Sequence, residues 1–273
     1  MGEDPKKFNI WKDMVEDVNP IHQIDCLRAV EVNLSNVCNL RCPFCPQSQG
    51  WTTDSPKYMS VETAKEIANQ LKSFNFHGYL CIAGWGEPSL NPNFEEIINL
   101  FKDFQPQVIT NGKTLDEETW HRICDISQVK ISVHDWDNLE YYKEKFKNTN
   151  AWFRNHDAKN PQMNLYNRAG YMSEPEEKIY RQCYLMFYKV CIDTDGTYYQ
   201  CEADWARKSK TPMTIFNTPI YNYFSTIINY RRRLMLLEGG RQNFECCKTC
   251  DINGLMVGEK FVEFWKEKNT NGK

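Results

Sequence analysis

Short apolar runs alternate with amphipathic stretches of helical period from residue 29 to about 148. Ala29 to Leu34, with Val30, Val32 and Leu34 on one face, reads as a first strand. Ser60 caps a helix from Val61 to Phe74, whose Val61, Ala64, Ile67, Ala68 and Leu71 form an apolar stripe. Gly78 to Ala83 is a buried strand, and Pro92 fits the first turn of a helix Phe94 to Phe104 behind an Asn91 cap. Strand Gln107 to Thr110 follows. Thr114 with Glu117 forms a capping box for Leu115 to Ile126, and Asp137 with Glu140 repeats it before Leu139 to Phe146, with strand Val129 to Val133 between. So regular an alternation predicts an α/β fold with a parallel sheet of right-handed units. Trp152 to His156 and Met163 to Tyr166 then read as short strands without a full helix between them, which gives a partial (β/α) barrel of five to six parallel strands. Its chemistry belongs at the C-terminal ends of the strands.

The flanks differ from this rhythm. Residues 1–28 hold an amphipathic segment around Phe8, Ile10, Trp11, Met14 and Val18, expected as a short helix packed outside. From 175 onward, Tyr188 to Ile192 and Thr197 to Cys201 flank Asp193-Thr194-Asp195-Gly196, a hairpin signal because Asp-Gly tolerates positive φ. Helices are expected at Tyr223 to Leu237 and Val257 to Lys266. The organisation read from this is an extension at 1–28, a barrel at 29–174 and a small C-terminal domain at 175–273, with no solenoid repeat or low-complexity stretch.

Charge narrows the partners. Lys and Arg number 33 against 36 Asp and Glu, a net charge of -3, so nothing global attracts nucleic acid or an acidic membrane. No apolar run is long enough to span a bilayer, and the polar start lacks a signal-peptide core, which points to the cytoplasm. Twelve cysteines in such a chain imply metal or redox chemistry.

Cys38-Asn39-Leu40-Arg41-Cys42-Pro43-Phe44-Cys45 leaves the first strand and places three thiols in one loop. Three thiolates can hold a four-iron cluster and leave one iron open to an outside ligand. Zinc needs a fourth ligand, and the next cysteine, Cys81, lies far off in an apolar run; a disulfide leaves one thiol over; Pro43 and Pro46 speak against a regular buried element. Gly84-Trp85-Gly86-Glu87-Pro88 follows the second strand, where glycines allow close backbone approach and a carboxylate can accept from an ammonium. In the tail, Cys183, Cys201, Cys247 and Cys250 supply four thiolates, suited to an iron-sulfur cluster or to zinc. Cys247 is preferred to Cys246 for its two-residue spacing from Cys250.

The spacing of Cys38, Cys42 and Cys45, with Phe44 before the last, resembles the signature loop of radical S-adenosylmethionine (radical SAM) enzymes. That resemblance implies a [4Fe-4S] cluster on the three cysteines, with S-adenosylmethionine chelating the fourth iron. It also implies one-electron cleavage to a 5'-deoxyadenosyl radical that removes a hydrogen atom from substrate. Gly84, Gly86, Glu87 and Pro88 resemble the family's Gly-x-Gly-Glu-Pro motif, which contacts the amino group of S-adenosylmethionine. Asn111 and Ser132 match positions of polar contacts to ribose or carboxylate, and Phe44 neighbours the adenine. Cys183, Cys201, Cys247 and Cys250 resemble a Twitch domain, a shortened SPASM domain carrying one auxiliary [4Fe-4S] cluster; full ligation by protein assigns it electron transfer.

Arg168 resembles an arginine near the substrate in a Twitch-domain dehydrogenase. The resemblance further implies a small-molecule substrate, since 1–28 is too short for a peptide-recognition domain, and a reducing partner such as flavodoxin or ferredoxin. The reaction implied is oxidation of a secondary alcohol of a sugar- or cyclitol-like molecule to a ketone. The alternatives are an epimerase using a spare cysteine (Cys26, Cys81, Cys124, Cys191 or Cys246) as hydrogen donor, or a peptide-modifying enzyme. His134-Asp135 and His156-Asp157 read as structural or surface pairs, and Arg231-Arg232-Arg233 as the polar face of a helix.

Overall fold

A computed structural model describes residues 26–161, 163, 166–174 and 182–252. The helices expected around residues 8–18 and 257–266 lie outside the described residues.

Among the described residues seven strands form one sheet: β1 (Ala29–Asn33), β2 (Tyr79–Ala83), β3 (Gln107–Thr110), β4 (Gln128–Val133), β5 (Trp152–Asn155), β6 (Lys189–Ile192) and β7 (Tyr198–Tyr199). Their spatial order is β5-β4-β3-β2-β1-β6-β7. Pairings from β5 through to β6 are parallel, and β7 closes the far edge antiparallel to β6. Six parallel strands agree with the partial barrel. Met163 and Tyr166 are not in a strand, and residues 164–165 lie outside the described residues.

Register partners in a sheet share a face, and successive residues alternate. The pairings therefore divide the sheet cleanly. Val30, Val32, Leu80, Ile82, Val108, Val129, Ile131 and Val133 point to one side, where they join one hydrophobic core. The helices pack there. Helix α1 (Val61–Ser73) buries Ala64, Ile67, Ala68 and Leu71, and the Ser60 Oγ cap accepts from Thr63 N at 3.1 Å, as its pattern predicts. Helix α2 (Phe94–Phe101) buries Phe94, Ile97, Ile98 and Phe101. Helix α3 (Glu117–Ile126) starts two residues later than expected: Asp116 caps it, accepting from Thr119 N at 2.7 Å, and the Thr114 hydroxyl pairs with Ser89 instead. Before α4 (Leu139–Lys145) a 3-10 turn, Trp136–Asn138, replaces the expected box, and no side chain caps the helix.

The opposite face is more polar. It carries Glu31, Asn33, Tyr79, Cys81, Gln107, Lys130, Ser132, Trp152, Arg154, Lys189, Cys191 and Tyr199. Helices on one side only leave this wall to enclose a site.

The Asp-Gly hairpin forms as read, with Gly196 at φ +79° and Asp193 N donating to Thr197 O at 2.9 Å. Its first strand, β6, is not confined to the tail: it adds to the barrel beside β1. The expected helix after it runs as Ile220–Asn222, a π-helical segment Tyr223–Ile228 and α5 (Asn229–Leu236), followed by the short α6 (Glu245–Lys248). Arg232 corrects the polar-face reading. It is fully buried, its guanidinium 4.4 Å from the Phe224 ring, donating to Asn229 Oδ1 at 2.6 Å and to the Phe187 carbonyl. No helix among the described residues is long and apolar enough to cross a membrane.

Candidate active site

The loop after β1 is held by its own backbone. Cys45 N donates to Cys42 O at 2.9 Å, Ser48 N to Cys45 O at 3.0 Å, and Arg41 Nη1 to Cys38 O at 2.9 Å. Pro46 opens a 3-10 turn, Pro46–Gln49, closed by Gly50 at φ 77°. Cys38, Cys42 and Cys45 are free and half-buried. Burial raises all three thiols; Cys42 reaches about 11, with the charges of Cys45 and Cys38 adding to burial. That coupling places the three sulfurs in one neighbourhood. Among the described residues no three His, Cys, Asp or Glu side chains converge on a point for a single metal ion. Three thiols in one loop are the donor set a cluster takes when its ligands sit on different irons, and a bound cluster would hold the thiols deprotonated.

The glycine-rich stretch after β2 locks onto this loop. Gly84 has φ +133°, and a Cβ there would lie 2.8 Å from Asn33 Cβ and closer to its amide. A Cβ at Gly86 would lie 2.7 Å from Val37 N and closer still to the carbonyls of Ser35 and Val37. Glu87 N donates to Val37 O at 2.8 Å, and Gln47 Nε2 bridges Asn36 O and Trp85 O at 2.9 and 3.0 Å. Both glycines are therefore required by loop-on-loop packing. The Glu87 carboxylate, 3% exposed, accepts from Ser89 N at 3.1 Å, Asn111 N at 2.8 Å and the hydroxyls of Ser89 and Thr110. Burial raises its pKa against those bonds. Pro88 opens the turn that Glu87 caps. Asn111 Nδ2 donates to Asn39 Oδ1 at 2.8 Å, tying the end of β3 to the cysteine loop. Ser132 accepts from Arg154 Nη2 at 2.8 Å on the polar sheet face.

A cavity of about 250 Å³ opens beside the loop, lined by Cys42, Phe44, Lys113, His134, His156 and Ala158 among others. Cys42 Sγ lies 3.2 Å from His134 Nδ1, and the Phe44 ring stacks 6.2 Å from His134 and meets His156 edge-on at 5.1 Å. Burial and then the Arg154 charge lower His134 to about 4 and His156 to about 3, so both are neutral at pH 7. The sequence reads both as structural or surface residues; the structure sets them in the wall of this cavity. Each is the first residue past a strand, β4 or β5, which is the rim position by the barrel rule. That signal was available in the sequence. The adjoining acids are structural: Asp135 pairs with Lys113 at 3.1 Å, and Asp157 accepts from Trp136 N at 3.0 Å.

Cys183, Cys201, Cys247 and Cys250 line one cavity of about 40 Å³, with Cys246 and Arg241 also in its wall. Cys246 Sγ sits 3.7 Å from Cys247 Sγ. Burial raises Cys201 well above the usual thiol range and Cys250 to about 11; for Cys247 the bond with Cys246 comes first, then burial. A four-thiol apolar cavity can hold a cluster. The spare cysteines Cys26, Cys81, Cys124, Cys191 and Cys246 are all buried, as expected of core thiols.

Arg168 stands between the two sets. Arg168, Ala169 and Gly170 all have positive φ, at 54°, 55° and 83°. The strained turn is clamped from the second cysteine segment: Asn167 N donates to both Asp251 oxygens at 2.9 Å, Asn167 Nδ2 to Thr249 O at 2.7 Å, and Thr249 Oγ1 to Ala169 O at 2.8 Å. Burial lowers the Arg168 pKa, while the charges of Cys45, Glu202 and Asp251 oppose this. Sequence reasoning missed Arg207, which is caged at the join of cysteine loop and hairpin: its guanidinium lies 3.3 Å from the Trp85 ring and Nη2 pairs with Asp193 at 2.7 Å. The Trp51 and Tyr199 rings lie 5.5 and 5.6 Å from the same guanidinium, and Trp205 and Cys45 pack against these rings.

Residues 32–158 match the profile of the Radical SAM superfamily. Over 248 residues the chain is 23% identical to an S-adenosyl-L-methionine-dependent 2-deoxy-scyllo-inosamine dehydrogenase of Niallia circulans, covering 85% of this chain and 96% of that one. A shorter likeness, 30% over 93 residues and 33% of this chain, is to a GTP 3',8-cyclase of Synechocystis, of which it covers 28%. Among solved structures, BtrN in complex with AdoMet and 2-DOIA superposes with a TM-score of 0.69 at 21% identity, covering 85% of this chain and 95% of BtrN. Streptococcus suis SuiB bound to the precursor peptide SuiA gives 0.57 at 12% identity, covering 88% and 73%. At these identities the structural likenesses speak for the fold.

Proposed function

We propose that this radical SAM enzyme oxidises a secondary alcohol of a small sugar- or cyclitol-like substrate to a ketone. The observation that carries the reading is that Cys183, Cys201, Cys247 and Cys250 line one cavity, in a chain similar to a 2-deoxy-scyllo-inosamine dehydrogenase. In this reading Cys38, Cys42 and Cys45 hold a [4Fe-4S] cluster, and the four tail cysteines hold an auxiliary [4Fe-4S] cluster. When bound, the first cluster and S-adenosylmethionine supply a 5'-deoxyadenosyl radical, and the second supplies a one-electron acceptor.

The chain's own residues set the rest. Phe44, His134 and His156 shape the adenosyl-sized cavity beside the loop, and both imidazoles stay neutral there. Gly84, Gly86, Glu87 and Pro88 fix the loop so that backbone groups meet the ligand's amino end; the Glu87 carboxylate acts through Ser89, Thr110 and Asn111. Asn111 and Ser132 border the ribose and carboxylate side. Arg168, anchored from the second cysteine segment, donates hydrogen bonds to substrate oxygens between the two sets. The balance is one hydrogen atom lost from the carbinol carbon, one proton from the hydroxyl and one electron to the tail site, leaving the C=O bond. A reducing partner such as flavodoxin or ferredoxin delivers the starting electron, and the cytoplasm keeps the thiols reduced.

The test is a carbinol-deuterated polyol turned over by anaerobically reconstituted protein. Ketone and singly deuterated 5'-deoxyadenosine should form in equal amounts; ketone without label transfer refutes the mechanism. Cys81 and Cys191 lie on the same sheet face as Ser132 and Arg154, and a second reading is an epimerase in which one of these buried thiols is the hydrogen donor. Deuterium entering the carbinol carbon from heavy water, lost in Cys81→Ala or Cys191→Ala, would mark that route instead.

A further inference from the structure

The three loop thiols have different surroundings. Cys38 Sγ accepts from Leu40 N at 3.4 Å, a bond made within its own loop, and Cys45 packs against the cluster of Trp51, Trp85, Tyr199 and Trp205. Cys42 Sγ instead lies 3.2 Å from Nδ1 of His134, a side chain 92 residues further along. That ring is placed by the fold. His134 is the first residue past β4, the Phe44 ring stacks on it with 13° between planes, and His156 meets it edge-on at 5.0 Å. His156 is held in turn by donation from its N to Val133 O at 2.8 Å. Two rings therefore hold the imidazole with Nδ1 beside the sulfur.

The spacing of the thiols calls for a cluster and says nothing of its potential. A metal-bound thiolate has no proton to give, so at this contact Nδ1 carries the hydrogen and the sulfur accepts. Negative charge on the sulfurs grows when a cluster takes up an electron, so a hydrogen bond to one of them is stronger in the reduced state and raises the potential. We propose that His134 is a positioning residue that acts through Cys42: its Nδ1 donates to Cys42 Sγ and makes the loop cluster easier to reduce. This rests on the [4Fe-4S] cluster proposed above for Cys38, Cys42 and Cys45.

The test is an anaerobic potentiometric titration of reconstituted protein followed by EPR, the loop cluster being the signal that changes when S-adenosylmethionine is added. His134→Phe keeps a ring against Phe44 and loses the donor. It should make reduction of the loop cluster about tenfold less favourable, the order of one charge-assisted hydrogen bond, which lowers a one-electron midpoint by about 59 mV. His134→Asn, whose amide N–H can stand where Nδ1–H stood, should restore most of that shift, and the tail signal should stay put in both variants. A His134→Phe midpoint equal to that of the wild type, a His134→Asn midpoint as low as that of His134→Phe, or equal shifts of both signals overturns the proposal. Should His134→Phe take up less iron, wild-type protein grown on nitrogen-15 histidine decides. Its reduced loop cluster, without S-adenosylmethionine, should show a weak histidine-nitrogen coupling in pulsed EPR. No coupling, or one as large as that of a directly bound nitrogen, overturns the proposal. If the wild type forms no signal that responds to S-adenosylmethionine, the loop cluster itself falls; if the signal forms and His134→Phe leaves its midpoint in place, only the role of His134 falls.

Discussion

Gly86→Ala is the sharpest probe of how the site is built. The new methyl would sit 2.7 Å from Val37 N and nearer to two carbonyls, where 3.4–4 Å is ordinary van der Waals contact. The cysteine loop cannot simply retreat, because Glu87 N bonds Val37 O at 2.8 Å and Gln47 ties Asn36 O to Trp85 O. Overpacking of this kind costs roughly 1–3 kcal/mol, and breaking the Glu87–Val37 bond about 1 more. A loss of about 2–4 kcal/mol is expected in urea unfolding of the apoprotein, together with poor reconstitution, since the displaced segment leads directly into Cys38. Gly50→Ala is the control. A Cβ there meets nothing within 4 Å, so only the left-handed backbone at φ +77° is strained, at roughly 1–2 kcal/mol. If Gly86→Ala costs no more than Gly50→Ala and takes up a full complement of iron, the two loops do not interlock as described.

Arg207→Met should cost about 1.5–3 kcal/mol in the same assay, because buried Asp193 loses its cation while keeping its bonds from Asn33, Ser55 and Thr194 N; Arg207→Lys should recover little, lacking the flat face that stacks on Trp85. Acid should weaken the apoprotein: His156 titrates near 3 when folded and near 6.5 when unfolded, so the unfolded chain gains a proton first, and stability is lost as pH falls from about 6.5 toward 3. His156→Phe should flatten that slope in urea midpoints taken between pH 7 and pH 5, and an unchanged slope would place the titration elsewhere. Cys247→Ala should lose the iron of the tail site while Cys246→Ala keeps it; the reverse would move the ligand one residue back.

Much of the fold was legible because its signals are local. The period-2 and period-3.6 patterns gave β1 to β4 and their helices, and the Asp-Gly turn gave the hairpin. The addition of β6 beside β1 was not legible, since pairing between strands so distant in sequence leaves no local mark. Arg232 was misread for a related reason: what buries it are Phe187 and Phe224 from other parts of the chain. At the site, cysteine spacing brought both thiol sets into view. His134 and His156 were set aside by applying strand alternation to residues that already lie past the strand ends. Arg207 had no signal, because its partners Asp193, Trp51, Trp85 and Tyr199 come together only through the fold.

The claim that most needs testing is that one chain holds two clusters. Iron and sulfide should be counted per chain after anaerobic reconstitution, in the wild type and in Cys201→Ala. The account predicts about eight irons and eight sulfides, falling to about four of each in the variant, which keeps the cluster on Cys38, Cys42 and Cys45. About four irons in the wild type, with zinc bound at the tail cysteines, would contradict it.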